Sequence, residues 1–243
     1  MCPYALLLPC PVSPQRGATL IEFVAGASMV LALGIAALET AHWQVARQIA
    51  AVALLEAARA GTTRHGDPAA MAQAFEQGMR ALHAAGRPGQ AGLDRLRAVH
   101  AARRSRAGVS AWHIHVMTPH AAHFADFGQR GAGPDGQRAI VPDYQHEQHQ
   151  EHVRRWPGGR GPRSGQTIFE ANVLQLRLTY LHEPLTPLLS GLLRALGQGR
   201  GDRKGLAMAR AGYLPLAHEI ALTQQSAAMQ WPSWAAHGGE ISQ

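Results

Sequence analysis

The stretch of sequence that decides the fold is RGATLIEFVAGASMVLALGIAAL, residues 16–38. It is the only long apolar segment in the chain, and Glu22 is the only charged residue between positions 18 and 38. As a helix, the 21 residues 18–38 would be about 32 Å long, enough for a hydrocarbon core about 30 Å thick. The part from Phe23 onward would reach only about 24 Å. A full span must therefore include Glu22, and the sequence predicts a transmembrane helix over residues 18–38.

The carboxylate of Glu22 is unfavourable inside a bilayer. A charged side chain at mid-bilayer costs up to about 2.5–3.5 kcal/mol on the insertion scale. Two interpretations remain open from the residues alone. The side chain extends to the interface, or it meets a cationic partner that offsets its desolvation.

The rest of the composition is that of one globular domain attached to an anchor. The chain has 243 residues, of which 46% are hydrophobic and 6% aromatic, so a core is feasible and wholesale disorder is not expected. Its net charge is +7 and its pI about 10.4. The basic residues are spread out without an aromatic and arginine face, so no nucleic-acid partner is predicted. Both cysteines, Cys2 and Cys10, precede Gly17, so a chain cut after Gly17 would contain no disulfide.

Helical patterns follow the apolar run. The helix is predicted to continue over residues 39–61, since apolar residues recur there at three- and four-residue spacing, and to end at Gly61, which can form a left-handed cap. Asp67 followed by Pro68 predicts the start of a second helix over residues 68–85. Residues 93–104 predict a third helix. Its arginines are interpreted as a solvated face: Arg95, Arg97, Arg103 and Arg104.

Three stretches alternate apolar and polar residues, as strands do. They cover residues 109–117, 168–181 and 213–223. The Gly-, Pro-, His- and Gln-rich stretch 119–165 is predicted to be a long loop, and 231–243 a loose tail. The predicted fold class is α+β, with a long N-terminal transmembrane helix that continues into a small antiparallel sheet packed on helices.

Histidine is the one residue type that could carry chemistry. His113 and His115 lie on one side of a predicted strand. His146, His149 and His152 recur every third residue, with Glu147 and Glu151 between them. These five histidines are weak candidates for a transition-metal site, because the spacing does not match the His-Glu-x-x-His motif and the surrounding stretch reads as a solvated loop. No catalytic motif is present, and the sequence predicts neither an enzyme nor a cofactor. An anchored periplasmic metal-binding or enzymatic domain remains the alternative.

The N-terminal stretch resembles the type IV prepilin cleavage motif, in which a Gly precedes an apolar run with Glu at the fifth position after it. Counting from Ala18, Glu22 is the fifth residue. Ala18 departs from the Phe or Met common at the first position. The chain resembles more specifically the TadE-like pseudopilins of tight-adherence (Flp) pilus systems. The segments that carry this resemblance are residues 16–23 and 56–61, with weaker patterns at 124–128, 180–187 and 214–216.

The resemblance implies a division of the chain and a set of partners. A prepilin peptidase would cut between Gly17 and Ala18, and Glu22 would pair with the new amino terminus of a neighbouring subunit. The implied segments are a leader at 1–17, a transmembrane helix at 18–38, its extension at 39–61, an extracytoplasmic α+β domain at 62–230, and the tail at 231–243. The implied location is the bacterial inner membrane, with a single pass and the C-terminal domain outside the cytoplasm. Other pilins or pseudopilins and an inner-membrane assembly platform would be the partners. An ordinary single-span protein with a chance match to the motif is the competing interpretation.

Overall fold

The computed structural model describes residues 18–83, 92–196, 209–232 and 239–242. The chain divides into two compact units, Met1–Ala41 and His42–Gln243. In the first unit the described residues are helical, and the second unit contains the sheets. The predicted α+β fold is confirmed, with its long N-terminal apolar helix and small antiparallel sheet.

Seven α-helices and six strands occur in the described part of the chain. The helices are α1 (Ala18–Thr63), α2 (Pro68–Met79), α3 (Gly92–Ala107), α4 (Ala121–Phe127), α5 (Gln145–Arg155), α6 (Ile168–Ala171) and α7 (Pro187–Leu196). The strands are β1 (Trp112–Thr118), β2 (Ala139–Ile140), β3 (Val173–His182), β4 (Leu214–Thr223), β5 (Ala228–Met229) and β6 (Glu240–Ser242). Short 3-10 helices lie at Arg80–His83, Pro134–Gly136 and Pro157–Gly159.

Helix α1 continues past the predicted end at Gly61, and that prediction is wrong. The left-handed residues come later, at His65 with φ 57° and Gly66 with φ 73°. Gly61 is required for a different reason. A Cβ at this position would lie 2.6 Å from Met71 Sδ and 2.7 Å from a Leu174 methyl carbon, so the absence of a side chain allows α2 and β3 to approach α1 closely.

Helix α2 begins where its sequence predicts. The Asp67 carboxylate accepts a hydrogen bond from the Ala69 N–H at 2.9 Å, and proline occupies the first turn. The stripe of Met71, Phe75 and Met79 is fully buried. The helix ends at Met79 and continues as a 3-10 turn, earlier than the predicted end at residue 85.

The main sheet has the order β4-β3-β1-β6, and every pair in it is antiparallel. The predicted alternation in β3 is confirmed, because Leu174, Leu176, Leu178 and Tyr180 are all fully buried. Alternating residues of β1 complete this buried face. Alanines of α1 pack into the same core, which explains why that part of the helix is so rich in small residues: Ala46, Ala50, Ala53, Ala57 and Ala58.

Two regions differ from the sequence predictions because short helices replace other structure. The predicted loop 119–165 contains α4 and α5. The start of the predicted strand 168–181 is α6, whose Thr167 and Glu170 form a capping box.

The C-terminal tail, expected to be loose over 231–243, adds a fourth strand. Ile241 of β6 pairs with Ile114 of β1, and the Val116 N–H donates to the Gly239 carbonyl at 2.8 Å. The indole N–H of Trp231 donates to the His65 carbonyl at 3.0 Å. The predicted leader 1–17 lies outside the described residues, as do residues 84–91, 197–208 and 233–238.

Candidate assembly surface

From Leu20 to Leu38, α1 presents apolar side chains to its surroundings. Nine large ones are between 56% and 73% exposed, and Ile35 is half-buried: the nine are Leu20, Ile21, Phe23, Val24, Met29, Val30, Leu31, Leu33 and Leu38. Within the described chain, α1 is the one helix long and apolar enough to cross a membrane. A continuous apolar surface of this kind requires a covering of lipid or of other apolar helices.

The polar groups in this part of α1 are satisfied by the helix itself. The Ser28 hydroxyl donates to the Ala25 carbonyl and the Thr40 hydroxyl to the Ala36 carbonyl, both at 2.8 Å. Such internal hydrogen bonds are favourable in a bilayer, because the hydrocarbon core supplies no hydrogen-bond partners for backbone or hydroxyl groups. Glu22 is exposed on the apolar surface and carries the only charge between residues 18 and 38.

Successive residues of a helix are about 100° apart around the axis. Glu22 therefore lies on a line with Met29 and Leu33. Small and large residues are mixed around the rest of the segment, since Ile21 lies between Ser28 and Ala32, and Gly34 lies between Phe23 and Leu38. The carboxylate is thus surrounded by apolar side chains of both sizes.

The two predicted processing residues stand at the edge of the described chain. Gly17 lies outside the described residues, and Ala18 is the first residue of α1.

The strand histidines lie on the less buried side of β1. His113 is opposite Thr179 of β3 and Ser242 of β6, whereas His115 is opposite Arg177 and Glu240. Both alternate with the buried residues of the strand, as predicted.

The three remaining histidine candidates lie on α5 and pack against aromatic or amide groups. The His149 ring lies 4.9 Å from that of Phe169, and the His152 ring stacks on Trp156 at 5.1 Å. His146 is exposed and lies 3.1 Å from the Gln150 amide. Burial and the positive charge of Arg155 lower the pKa of His152. Among the described residues, no three His, Cys, Asp or Glu side chains come together as a metal-binding group. The structure thus does not unite the strand histidines with those of α5.

Two histidines that the sequence did not single out form the N-terminal cap of α4. The His120 ring accepts from the Ala122 N–H at 3.3 Å, and the His123 ring accepts from the His120 N–H at 3.1 Å. The other ring nitrogen of His123 lies 2.5 Å from the Gln166 side-chain oxygen. Burial and the proximity of His123 lower the pKa of His120. Both rings must therefore keep an unprotonated nitrogen for the cap to form.

The prediction of a solvated arginine face on α3 is wrong for Arg103. Only 7% of this residue is exposed. Its guanidinium donates to the Tyr180 hydroxyl at 2.6 Å and to the Leu181 carbonyl at 2.9 Å, and it lies 3.5 Å from the Glu183 carboxylate. Burial raises the pKa of Tyr180, so this hydroxyl stays neutral and accepts the bond. The contacts connect α3 to the end of β3.

Arg97 differs from the prediction in another way. Its guanidinium remains half exposed, but it binds the buried Glu76 carboxylate with two contacts of 2.9 and 3.1 Å. The pair connects α2 to α3 and gives the buried carboxylate the partner that it needs. The signal that sequence reasoning missed is Glu76 itself, an acidic residue directly beside Phe75 of the apolar stripe.

Comparison with protein-family models found no matching family, and searches of curated proteins and of solved structures found no match. Only the chain's own residues therefore indicate its function. In the described residues, they define an α+β protein with one N-terminal helix long and apolar enough to cross a membrane, whose apolar segment 18–38 carries a single carboxylate, Glu22.

Proposed function

We propose that this chain is a TadE-like pseudopilin, a membrane-anchored subunit that acts in the assembly of a tight-adherence (Flp, type IVb) pilus or a related secretion apparatus. It would reside in the bacterial inner membrane with a single pass and with its sheet domain outside the cytoplasm. Its work would be packing against other pilins or pseudopilins and an assembly platform, without catalysis.

The observation that carries the proposal is the position of Glu22. It is the fifth residue after Gly17 and the only charge in an apolar segment whose side chains are exposed. Of the two interpretations that the residues leave open, we propose the cationic partner, which offsets the desolvation of the carboxylate. Cleavage by a prepilin peptidase after Gly17 would create one, the amino group of Ala18, on every subunit. An ion pair between Glu22 of one subunit and Ala18 of the next would set their register.

Substitution of Glu22 tests this role separately from processing. In cells that contain the pilus system, Glu22→Gln should be shortened normally, because the substitution leaves Gly17 intact. The variant should be recovered in large membrane complexes, after mild detergent extraction and sizing, at roughly a tenth of the wild-type level or less, since breaking a buried ion pair costs several kcal/mol.

The matched control is Glu56→Gln, which removes another carboxylate of α1. Glu56 is exposed and pairs with Arg59 at 3.2 Å on the helix surface, and such pairs contribute little. Its complexes should resemble those of the wild type. Normal complex recovery with Glu22→Gln would refute the registry role.

A further inference from the structure

Strand β4 forms one end of the main sheet. It pairs with β3 without interruption, from Leu214 opposite His182 to Thr223 opposite Val173. In the described chain, no other strand pairs with its second edge. The backbone groups on that edge are therefore open to a further strand, and strand addition at such an edge is a common way for proteins to associate.

Hydrogen bonds around β3 identify which residues of β4 face the open edge. The Leu181 N–H donates to the Ala111 carbonyl at 2.8 Å, so the backbone groups of Leu181 point toward β1 and away from β4. The Gln224 N–H donates to the Asn172 carbonyl at 2.8 Å and points toward β3. Backbone groups of successive strand residues point to alternate sides. The even-numbered residues of β4 therefore bond to β3, and the odd-numbered ones direct their N–H and carbonyl groups outward.

The open edge offers four N–H donors. The residues that carry them are all exposed: Ala217, Glu219, Ala221 and Thr223. Within the described part of the chain, these N–H groups have no hydrogen-bond partner. Pro215 has no N–H and so ends the usable edge on one side. On the other side the Gln225 N–H donates to the Thr62 carbonyl at 3.1 Å, so the chain leaves the sheet there.

The side chains at this edge are compatible with a further strand. On the side of the sheet that faces the core, Ile220 and Leu222 pack against the core but are only partly buried. On the other side, the only charged residue is Glu219, and its carboxylate accepts from Arg177 of β3 at 2.6 Å. An added strand would cover the two apolar side chains without burying an unpaired charge.

Strand β4 of a second copy fits this edge when the twofold axis passes through Ile220. Two antiparallel strands then place Ala217 opposite Thr223, and Glu219 opposite Ala221. These pairs join outward-facing residues only, so every N–H donor of one copy meets a carbonyl of the other. The paired stretch, residues 217–223, is the whole of the usable edge.

Other registers lose hydrogen bonds. An axis one residue earlier would place Glu219 opposite its own copy, a like-charge pair, and would bring Pro215 into the pairing. An axis one residue later would bring in Gln225, whose N–H already donates to Thr62 within the chain. A larger shift leaves fewer residues paired. The edge is therefore complementary to itself in one register.

We propose that two copies of this chain associate through β4 and join their four-stranded main sheets edge to edge. The two Ile220 side chains pack on each other at the axis, and residues 217–223 of the copies pair antiparallel. The contact involves only the second compact unit. It requires neither cleavage after Gly17 nor the pairing of Glu22, so it goes beyond the proposed function.

Site-directed cross-linking tests both the contact and its register. The full chain with Cys2→Ser and Cys10→Ser is purified in mild detergent, given single cysteines and oxidised with copper phenanthroline. Directly opposed residues of an antiparallel pair have Cα atoms about 4.5–5.5 Å apart, which a disulfide can bridge. Ile220→Cys should therefore cross-link to its own copy.

The exposed positions at the two ends of the edge give an independent measurement. Ala217→Cys and Thr223→Cys should each stay monomeric on a non-reducing gel when oxidised alone, because the two copies of either position would be about 20 Å apart. Mixed in equal amounts, the two variants should cross-link, since 217 lies opposite 223. Both side chains are exposed, so this measurement does not depend on the tolerance of Ile220→Cys.

A matched pair of charge substitutions tests the register further. Ala221→Glu, added to the Ile220→Cys chain, would lie opposite Glu219 of the second copy. It should slow cross-linking by roughly two- to thirtyfold, because two like-charge pairs form in each dimer. Ala217→Glu is equally spaced from Glu219 along its own strand but lies opposite Thr223, and it should leave the rate unchanged.

Three results would overturn the proposal. The first is no cross-link at 220 and none in the mixture of the 217 and 223 variants. The second is equal cross-linking of 217, 220 and 223 when each is oxidised alone, which would indicate random collisions. The third is an equal effect of the two added glutamates on the rate.

Discussion

Arg103 shows the limit of what a single residue reveals in sequence. It is one of four arginines on a basic helix, but its partners Tyr180 and Leu181 are 77 and 78 positions away. Helical periodicity carries no information on such distant contacts. Its neighbour Arg104 is exposed, as predicted. The sequence likewise predicts a helix cap at Gly61. In the structure this position requires glycine because the side chains of Met71 and Leu174 lie too close for a Cβ.

Replacement of Arg103 should destabilise the fold. Arg103→Ala leaves the buried Tyr180 hydroxyl and the Leu181 carbonyl without their donor. The free energy of unfolding, measured by denaturant titration of the full chain in detergent, should fall by about 1–3 kcal/mol. Arg104→Ala is the matched control and should change it by no more than about 0.5 kcal/mol. Equal effects of the two substitutions would mean that the buried contacts contribute nothing.

At the scale of elements, the predictable features are those with a strong local period. The alternation of Leu174, Leu176, Leu178 and Tyr180 specifies β3 because one side of a strand faces the core, and Asp67 with Pro68 marks the start of α2. Helix α5 was missed because its sequence QHEQHQEHVRR has no apolar stripe. Helix α6 was missed because Ile168 and Phe169 look like the start of a strand, although the Thr167 and Glu170 pattern of a capping box was visible. The three-residue strand β6 is too short to show a period.

The contact between α1 and α2 depends on a glycine. A Cβ at Gly78 would lie 2.7 Å from the Cα of Ala53, a backbone atom that no rotamer change can move. Gly78→Ala should therefore lower the free energy of unfolding by about 1–2 kcal/mol, because overpacking outweighs the gain in helix propensity.

Gly191→Ala provides the opposite expectation. Gly191 also lies in a helix, α7, but its Cβ would meet nothing within 4 Å. Here only propensity acts, and stability should rise by up to about 1 kcal/mol. Thermal unfolding followed by circular dichroism compares both variants with the wild type. A stabilised Gly78→Ala chain would rule out the close approach of α1 and α2.

At the scale of the whole molecule, three histidines act on stability in the same direction. Burial, with nearby cations at two of them, lowers the pKa of His120, His152 and His218. The unfolded chain then binds more protons than the folded one as the pH falls below about 6.5. Stability from these groups is present above that pH and is lost as the pH falls through the lowered pKa values.

We therefore expect the denaturant midpoint of the full chain to decrease between about pH 7 and pH 5. His120→Asn should make this dependence shallower, because asparagine can cap α4 without titrating. The control is His146→Asn, which replaces an exposed histidine of α5. Its denaturant midpoint should depend on pH as steeply as that of the wild type. A slope unaffected by His120→Asn would exclude the α4 cap as a source of the acid sensitivity.

Cleavage after Gly17 and the pairing of Glu22 are the central proposals, and neither follows from the fold of the sheet domain. The fold class, the apolar helix and the main strands follow from local patterns. The role proposed for Glu22 depends on a cation that exists only if the chain is cut after Gly17, and such a cut leaves no trace in periodicity or packing.

N-terminal sequencing of the protein purified from cells that contain a prepilin peptidase tests this claim most directly. The account predicts a mature chain that begins Ala18-Thr19-Leu20-Ile21, and a Gly17→Leu variant that keeps the precursor size. A chain from the same cells that still begins at Met1, or a Gly17→Leu variant shortened normally, would contradict it.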